Sequence, residues 1–138
     1  MLELNTFENK VQGFAEDLPF EDNSFDNVFC SFVWRNVSDT NKALHEVYRV
    51  LRPGGKFVLL DMTRPKNPFL RVLHKIGTFT VLHLIGLVTF NLKEYRFLYN
   101  SLDFYPQPEE HLNKDNFIDL KIERMGLFNF VYLAVFTK

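Results

Sequence analysis

The feature that most constrains this chain is a tetrapeptide, Arg52-Pro53-Gly54-Gly55, set between a helical pattern and an apolar run. Upstream, Leu44, Val47, Tyr48 and Leu51 fall at i, i+3, i+4 and i+7, one apolar face of a helix. Ser38 or Asp39 offers that helix an N-cap. Pro53 forbids continuation of the helix, and the glycines permit positive φ. Lys56-Phe57-Val58-Leu59-Leu60-Asp61-Met62 then reads as a buried strand. A second strand precedes the helix, Phe25 to Val33, β-rich and mostly apolar. Strand, helix, Gly-rich turn and strand make a βαβ unit, whose crossover is expected to be right-handed and whose strands parallel.

Around this unit the pattern is less regular. Val11 to Ala15 is a candidate short strand, broken by Leu18-Pro19-Phe20 and followed by a turn at Glu21-Asp22-Asn23-Ser24. Pro65 and Pro68 mark a loop, and Phe69 to Phe90 is an apolar stretch of helical character, one or two helices, interrupted by Gly77 and Gly86. Pro108 suits the first turn of a helix, which is predicted to run to Met125 and stop at Gly126. Phe128 to Phe136 is predicted as a last strand.

At 138 residues the chain is large enough for one domain. Its net charge of -1 provides no large basic field for nucleic acid or an anionic membrane. Cys30 is the single cysteine, so no disulfide forms within the chain, and a reducing compartment is the default. The opening Met1-Leu2-Glu3-Leu4-Asn5 has neither the basic start nor the apolar run of a secretory signal. The greasiest stretch, Ile76 to Phe90, is shorter than the roughly 20 residues that span a bilayer. His74 and His83 lie in that stretch without metal-ligand spacing, His45 lies on the polar face of the clear helix, and Asp26 and Cys30 read as structural. No metal site is expected.

Several motifs now line up in order. Ala15-Glu16-Asp17-Leu18-Pro19-Phe20, Ser24-Phe25-Asp26 and Arg49-Val50-Leu51-Arg52-Pro53-Gly54-Gly55 resemble the class I S-adenosylmethionine-dependent methyltransferases of small molecules. Arg35-Asn36-Val37-Ser38-Asp39 resembles the Arg-Asn-Val-x-Asp segment of the ubiquinone and menaquinone biosynthesis C-methyltransferases. The run from Tyr95 to Pro106 resembles their Tyr-x-Tyr-Leu-x-x-Ser-Ile-x-x-Phe-Pro block, with Phe97 for Tyr, Leu102 for Ile and Tyr105 for Phe. Leu60-Asp61-Met62-Thr63-Arg64-Pro65 echoes their Leu-Glu-x-Ser-x-Pro. The likeness covers residues 11 to 106 and loosens beyond, where the tail looks too short for the family's last two strands.

The resemblance implies an α/β fold: part of a Rossmann-like class I methyltransferase sheet, strands 3 to 6/7 only, with a helical cap insertion at about 66–105. Residues 1–138 would form the C-terminal part of the domain. The family sheet runs 3-2-1-4-5-7-6, and this chain matches it only after strand 2. The Gly-x-Gly loop, whose amides approach the cofactor, has no counterpart here, nor does the acid that ends strand 2, and Phe14 stands where the family has an Asp. S-adenosyl-L-methionine is the implied cofactor, with Ala15, Glu16 and Asp17 left to contact it. Arg35 and Asn36, after strand 4, fall at the carboxyl edge where ligands bind in open α/β sheets, and are the candidate catalytic residues. Arginine is no base, so Arg35 would stabilise a phenolate or polarise a water. Tyr95, Tyr99 and Ser101 are candidates for the substrate pocket, the alternative being packing of a lid.

The implied reaction is C-methylation of a quinol or similar aromatic small molecule. The alternatives are a catalytically inactive, truncated relative acting as a binding or assembly subunit, and a methyltransferase for another small molecule. Without strands 1 and 2 the strand at 25–33 becomes an apolar edge, so a fragment of a longer gene product, a homo-oligomer or a completing chain is expected. The location is expected to be cytoplasmic. For Phe69 to Phe90 three readings stay open: a mobile cap, a peripheral membrane contact, and a packed helix pair.

Overall fold

The computed structural model describes residues 10–114 and 116–138. The polar opening at Met1–Asn5 lies outside them. The βαβ unit forms as the spacing predicts, with β1 at Phe25–Ser31, α1 at Thr40–Val50 and β2 at Leu51–Met62. Asp39 caps α1, its side chain accepting from the Lys42 amide at 3.0 Å. Ala43, Leu44, Val47 and Val50 bury one stripe of α1, each larger side chain contributing about 1.5–3 kcal/mol. The helix ends at Val50, one residue before the periodicity does, because Leu51 is already extended and pairs with Phe25. Arg52 to Gly55 is an irregularity in the β1–β2 register, which shifts between Phe25 and Asn27. Gly54 there adopts φ 81°, and a Cβ on Gly55 would stand 2.8 Å from the Arg52 and Asp26 carbonyls. The Arg52 guanidinium grips the Asp26 carboxylate across the irregularity, which gives Asp26 a structural role.

Two helices follow, α2 at Pro68–Val88 and α3 at Leu92–Phe104. Asn67 caps α2 by accepting from the Phe69 and Leu70 amides. Gly86 lets α3 approach closely: a Cβ on it would lie 3.1 Å from the Leu92 backbone. Arg64, fully buried after β2, fastens both helices to the sheet. Its guanidinium donates to Asp103 (2.8 Å), to Thr78 Oγ1 (2.8 Å) and to the Tyr99 carbonyl (3.2 Å), and lies 4.8 Å over the Tyr99 ring. At 21 residues α2 is long and apolar enough to cross a bilayer by length and composition. The apolar run read from sequence was shorter because Arg71, His74 and Lys75 interrupt its first turns.

The C-terminal part differs from expectation. A short helix, α4 at Pro108–His111, replaces the helix predicted to reach Met125. It begins at Pro108 as predicted, but β3 then occupies Asp119–Met125 and β4 Val131–Thr137. Leu120, Ile122 and Arg124 alternate with the exposed Asp119, Lys121, Glu123 and Met125, a period of two. Gly126, read as a helix stop, instead turns the chain between antiparallel strands at φ 80°. The start of the predicted last strand is a tight turn at Leu127–Asn129, in which Phe128 and Asn129 both take positive φ. The tail therefore holds two strands. The candidate strand at 11–15 does not form; only an isolated bridge joins Phe14 and Asp17.

The sheet order is β1-β2-β4-β3, with β1 parallel to β2 and the other pairs antiparallel. This is the order 4-5-7-6 of the implied family sheet. One face carries the core: Phe57 and Leu59 of β2, Tyr132, Ala134 and Phe136 of β4, and α1 above them, with Trp34 against Phe57. On the other face Phe29 is 75% exposed, and Val58, Leu60, Leu133 and Val135 are half-buried. Among the described residues β1 ends the sheet with an open edge. We expect Phe29→Lys to change stability by no more than about 0.5 kcal/mol while reducing self-association, read by urea unfolding and by light scattering. Unchanged association would remove this face from any contact between copies.

Candidate functional site

The carboxyl ends of β1 and β2 bring a polar cluster together. Arg35 sits on the tight turn Trp34–Asn36 that follows β1. Its guanidinium pairs with Asp61 near the end of β2, and its amide donates to Asp61 Oδ2 at 3.2 Å. The two side chains are 7% and 0% exposed, so the pair is desolvated and each partner needs the other. The Met62 amide donates to Asp61 Oδ1 at 2.8 Å.

The segment after α3 closes over this pair. The Tyr105 hydroxyl lies 2.6 Å from His111 Nε2, and His111 Nδ1 lies 2.8 Å from the Gln107 carbonyl. A carbonyl only accepts, so Nδ1 carries the proton and Nε2 accepts from Tyr105. Gln107 is itself fixed, its amide donating to Thr63 Oγ1 and the Arg64 carbonyl and its oxygen accepting from Arg124. Tyr132 faces Asp61 across the β2–β4 register, and its buried hydroxyl has no well-formed hydrogen bond. Burial, with the Asp61 charge behind it, raises the Cys30 thiol to about 11. Burial raises both tyrosine hydroxyls too, and lowers His111 below the ordinary histidine value. Asp61 thus couples electrostatically to Cys30, Tyr105, His111 and Tyr132.

The other candidates stand apart from this cluster. Asn36 is exposed on the same turn. Ala15 packs against the core. Glu16 Oε1 accepts from the Ser38 and Asp39 amides at 3.0 and 3.1 Å, and these bonds, with Asp39 foremost, hold its carboxyl below the usual range. Asp17 is exposed, its amide donating to the Phe14 carbonyl. Tyr95, Tyr99 and Ser101 are half-buried on α3. Tyr99 supports Arg64 and meets Phe79 edge-on, while the Ser101 hydroxyl donates back to the Leu98 carbonyl. Among the described hydrogen bonds, none joins these three to Arg35. Among the described residues, no group of His, Cys, Asp and Glu is placed to hold a metal.

Sequence reasoning named Arg35 as a candidate and did not name Asp61 or His111 as such, which the structure places around it. Asp61 carried a signal, being an acid at the carboxyl end of a buried strand. His111 carried none, because only the α4 turn brings it to Tyr105.

This half-sheet is part of a Rossmann-like fold. A solved S-adenosylmethionine-dependent methyltransferase from Thermotoga maritima shares the fold, at TM-score 0.61 and 20% identity, over 93% of this chain and 63% of that one. The chain belongs to the ubiE/COQ5 methyltransferase family, which it matches over residues 6–127. It is 43% identical over 112 residues to a ubiquinone/menaquinone biosynthesis C-methyltransferase of Rickettsia bellii, covering 79% of this chain and 45% of the relative. It is 44% identical over 100 residues to that of Hahella chejuensis, covering 72% and 40%. The chain spans less than half the length of these relatives.

Two outcomes follow for the cluster. Asp61→Ala leaves the Arg35 guanidinium buried without a counter-charge and should destabilise the fold by about 3–5 kcal/mol, read from urea unfolding. The second concerns pH. His74 is lowered by burial and then by the Arg64 charge, and His111 by burial. The unfolded chain therefore binds protons that the folded chain refuses, and stability falls as pH drops below about 6.5. A separate loss, from Glu46 and Glu109, each held near about 2 by Arg49 and Arg124 respectively, sets in only below about 4.5. Unfolding midpoints should fall between pH 7.5 and 5.5 in the parent chain and stay flatter in the His74→Gln/His111→Gln variant.

Proposed function

We propose that this chain is the acceptor-side portion of an S-adenosylmethionine-dependent C-methyltransferase acting on a quinol or similar aromatic small molecule. Residues 1–138 are then the C-terminal part of the domain, and α2 and α3 form its helical cap over about 66–105. The observation that carries the reading is the buried Arg35–Asp61 pair beside the Tyr105–His111 pair, at the edge where an open α/β sheet binds ligands. The cofactor, when bound, supplies an electrophilic methyl group. Its cradle in this chain is confined to the Ala15–Asp17 segment and the end of β1, with Glu16 Oε1 already engaged and no Gly-x-Gly in the sequence. These residues do not suffice to hold it, and the rest of the cradle lies outside residues 1–138.

The chain's own residues perform two tasks. Arg35, oriented by Asp61, places positive charge where a ring hydroxyl becomes a phenolate. Tyr105 takes up the hydroxyl proton as it passes its own to His111 Nε2, leaving a neutral tyrosine and an imidazolium held by the Gln107 carbonyl. Both tasks make the ring carbon more nucleophilic.

The test combines this chain with a polypeptide carrying the part of the Rickettsia bellii relative that this chain does not match. Calorimetry should show S-adenosylmethionine binding, and labelled methyl should reach a prenylated benzoquinol. Arg35→Ala should lower turnover by about 100-fold, and Tyr105→Phe should alter the acidic limb of the pH profile. Binding without transfer would sink the enzymatic reading in favour of a binding or assembly subunit.

A peripheral contact of a cytoplasmic protein with membrane belongs to the same reading. Residues 66–104 carry five Lys or Arg against two Asp or Glu in a chain of net charge -1. α2 exposes Phe69, Ile76, Leu84 and Val88. An apolar helix face with basic flanks suits an anionic bilayer. Flotation with vesicles containing phosphatidylglycerol should carry the chain upward, and failure to float at low salt would exclude the contact.

A further inference from the structure

Tyr132 is buried beside the polar cluster, and the two tasks assigned above leave it unused. It is 0% exposed, and its hydroxyl has no hydrogen-bond partner. A buried hydroxyl left in that state costs about 1–3 kcal/mol. The strand register holds it there: Tyr132 of β4 lies between Asp61 of β2 and Arg124 of β3. Residues directly opposite in an antiparallel ladder send their side chains to one face, with Cβ atoms about 4.5–5.5 Å apart. Tyr132 therefore stands on the same face as the Asp61 carboxylate.

Its neighbours differ in what they offer a hydroxyl. Arg124 only donates, and its guanidinium is committed to Glu109 and Gln107. Asp61 already takes three donors, the Arg35 guanidinium and the Met62 amide at Oδ1 and the Arg35 amide at Oδ2. Tyr105 is different. It packs against the core that holds Tyr132. Its hydrogen goes to His111 Nε2 at 2.6 Å, and among the described hydrogen bonds its oxygen accepts none. Burial raises the Tyr105 hydroxyl, and Tyr132, acting as a donor, pulls it back. The two hydroxyls are neighbours, although the resting contact falls short of a formed bond. Catalytic hydrogen bonds are often long in a free enzyme and tighten when the substrate binds.

We propose that Tyr132 is a positioning residue for the proton step: its hydroxyl donates to the Tyr105 oxygen and leaves one Tyr105 lone pair to face the acceptor molecule. Its role rests on the methyl-transfer reading; the contact itself does not. A phenol oxygen has two lone pairs, so with one taken by Tyr132 the other is open to the acceptor's hydroxyl. That O–H bond breaks as its proton reaches Tyr105, and its electron pair stays on the acceptor's oxygen. The Tyr105 proton passes to His111 Nε2, and Tyr132 keeps its own. Negative charge that builds on Tyr105 between the two transfers lies near the Asp61 carboxylate, and a donated hydrogen bond from Tyr132 offsets it. Because Tyr105 stands where the resembled block has Phe, this device belongs to this chain and not to the motif.

Nuclear magnetic resonance of the whole chain at pH 8 tests the contact, since burial keeps His111 neutral there against the opposing pull of Asp61, Glu109, Glu110 and the Gln107 carbonyl. The imidazole signal missing from His111→Gln identifies the residue. Tyr105→Phe should move the nitrogen-15 shift of His111 Nε2 to that of an unbonded imidazole nitrogen. Tyr132→Phe should move it the same way, by roughly 10–30% as much, and should add nothing in the Tyr105→Phe background. Urea unfolding should find Tyr132→Phe at least as stable as the parent, because only an unpaired hydroxyl is lost. A parental shift in Tyr132→Phe would overturn the proposal. So would an equal move in both backgrounds, which would give the hydroxyl to Asp61. With the completing polypeptide present, Tyr132→Phe should lower kcat by about tenfold and leave KM unchanged, with no further loss in Tyr105→Phe; a parental kcat would remove the positioning role. If the parent transfers no methyl, the functional reading fails while the nitrogen-15 result still stands, so the two failures are told apart.

Discussion

The Arg64 guanidinium is the contact on which the arrangement of helices and sheet depends. It is fully buried, and each of its three nitrogens has a partner among the Asp103 carboxylate, the Thr78 hydroxyl, the His74 imidazole and the Tyr99 carbonyl. A charge this deep is tolerable only with such pairing. The partners come from both α2 and α3, so one side chain at the end of β2 fixes the helical pair in position and orientation. The Arg64 carbonyl also accepts from Gln107, which holds the turn that carries Tyr105 and His111. Cap and polar cluster therefore share one anchor.

Asp61 and Arg64 lie three residues apart and divide the work at that strand end. Asp61 faces the core side and orients Arg35; Arg64 faces the helical pair. The two buried charges have opposite signs and separate partners, so each region keeps its own balance. Tyr99, read from sequence as either a pocket residue or lid packing, supports Arg64 in the structure, while Tyr105, a departure from the family pattern, stands in the cluster.

The βαβ unit was legible because its signals are local: an N-cap, a single apolar helical face, and a Pro-Gly-Gly block that forces the turn. The segment 108–125 was not, because Pro108 announces a helix and Gly126 suits a helix end, while the alternation over 119–125 is half polar and reads weakly. What makes it a strand is pairing with β4, a tertiary contact. Residues 11–15 show the converse: a β-like composition with no strand partner among the described residues yields only a bridge. Arg35 could be picked out because motif and sheet edge coincide there. Asp61 and His111 needed the fold, since their meaning lies in what they face.

The position of β2 inside the sheet bears on how the molecule assembles in time. β1, α1 and β2 are joined by near-neighbour contacts, and β3 and β4 form a second local pair. These two units meet along the β2–β4 ladder, where Lys56 pairs with Thr137 across roughly eighty residues of chain, and where α1 packs over β4. Closing so long a loop is entropically slow, so the ladder should be the late event, with both local units waiting for it. The helical pair lies within that loop. Its apolar surfaces are then exposed through the slowest part of folding, and a nascent chain would be most vulnerable to aggregation while α2 is made and β4 is still missing.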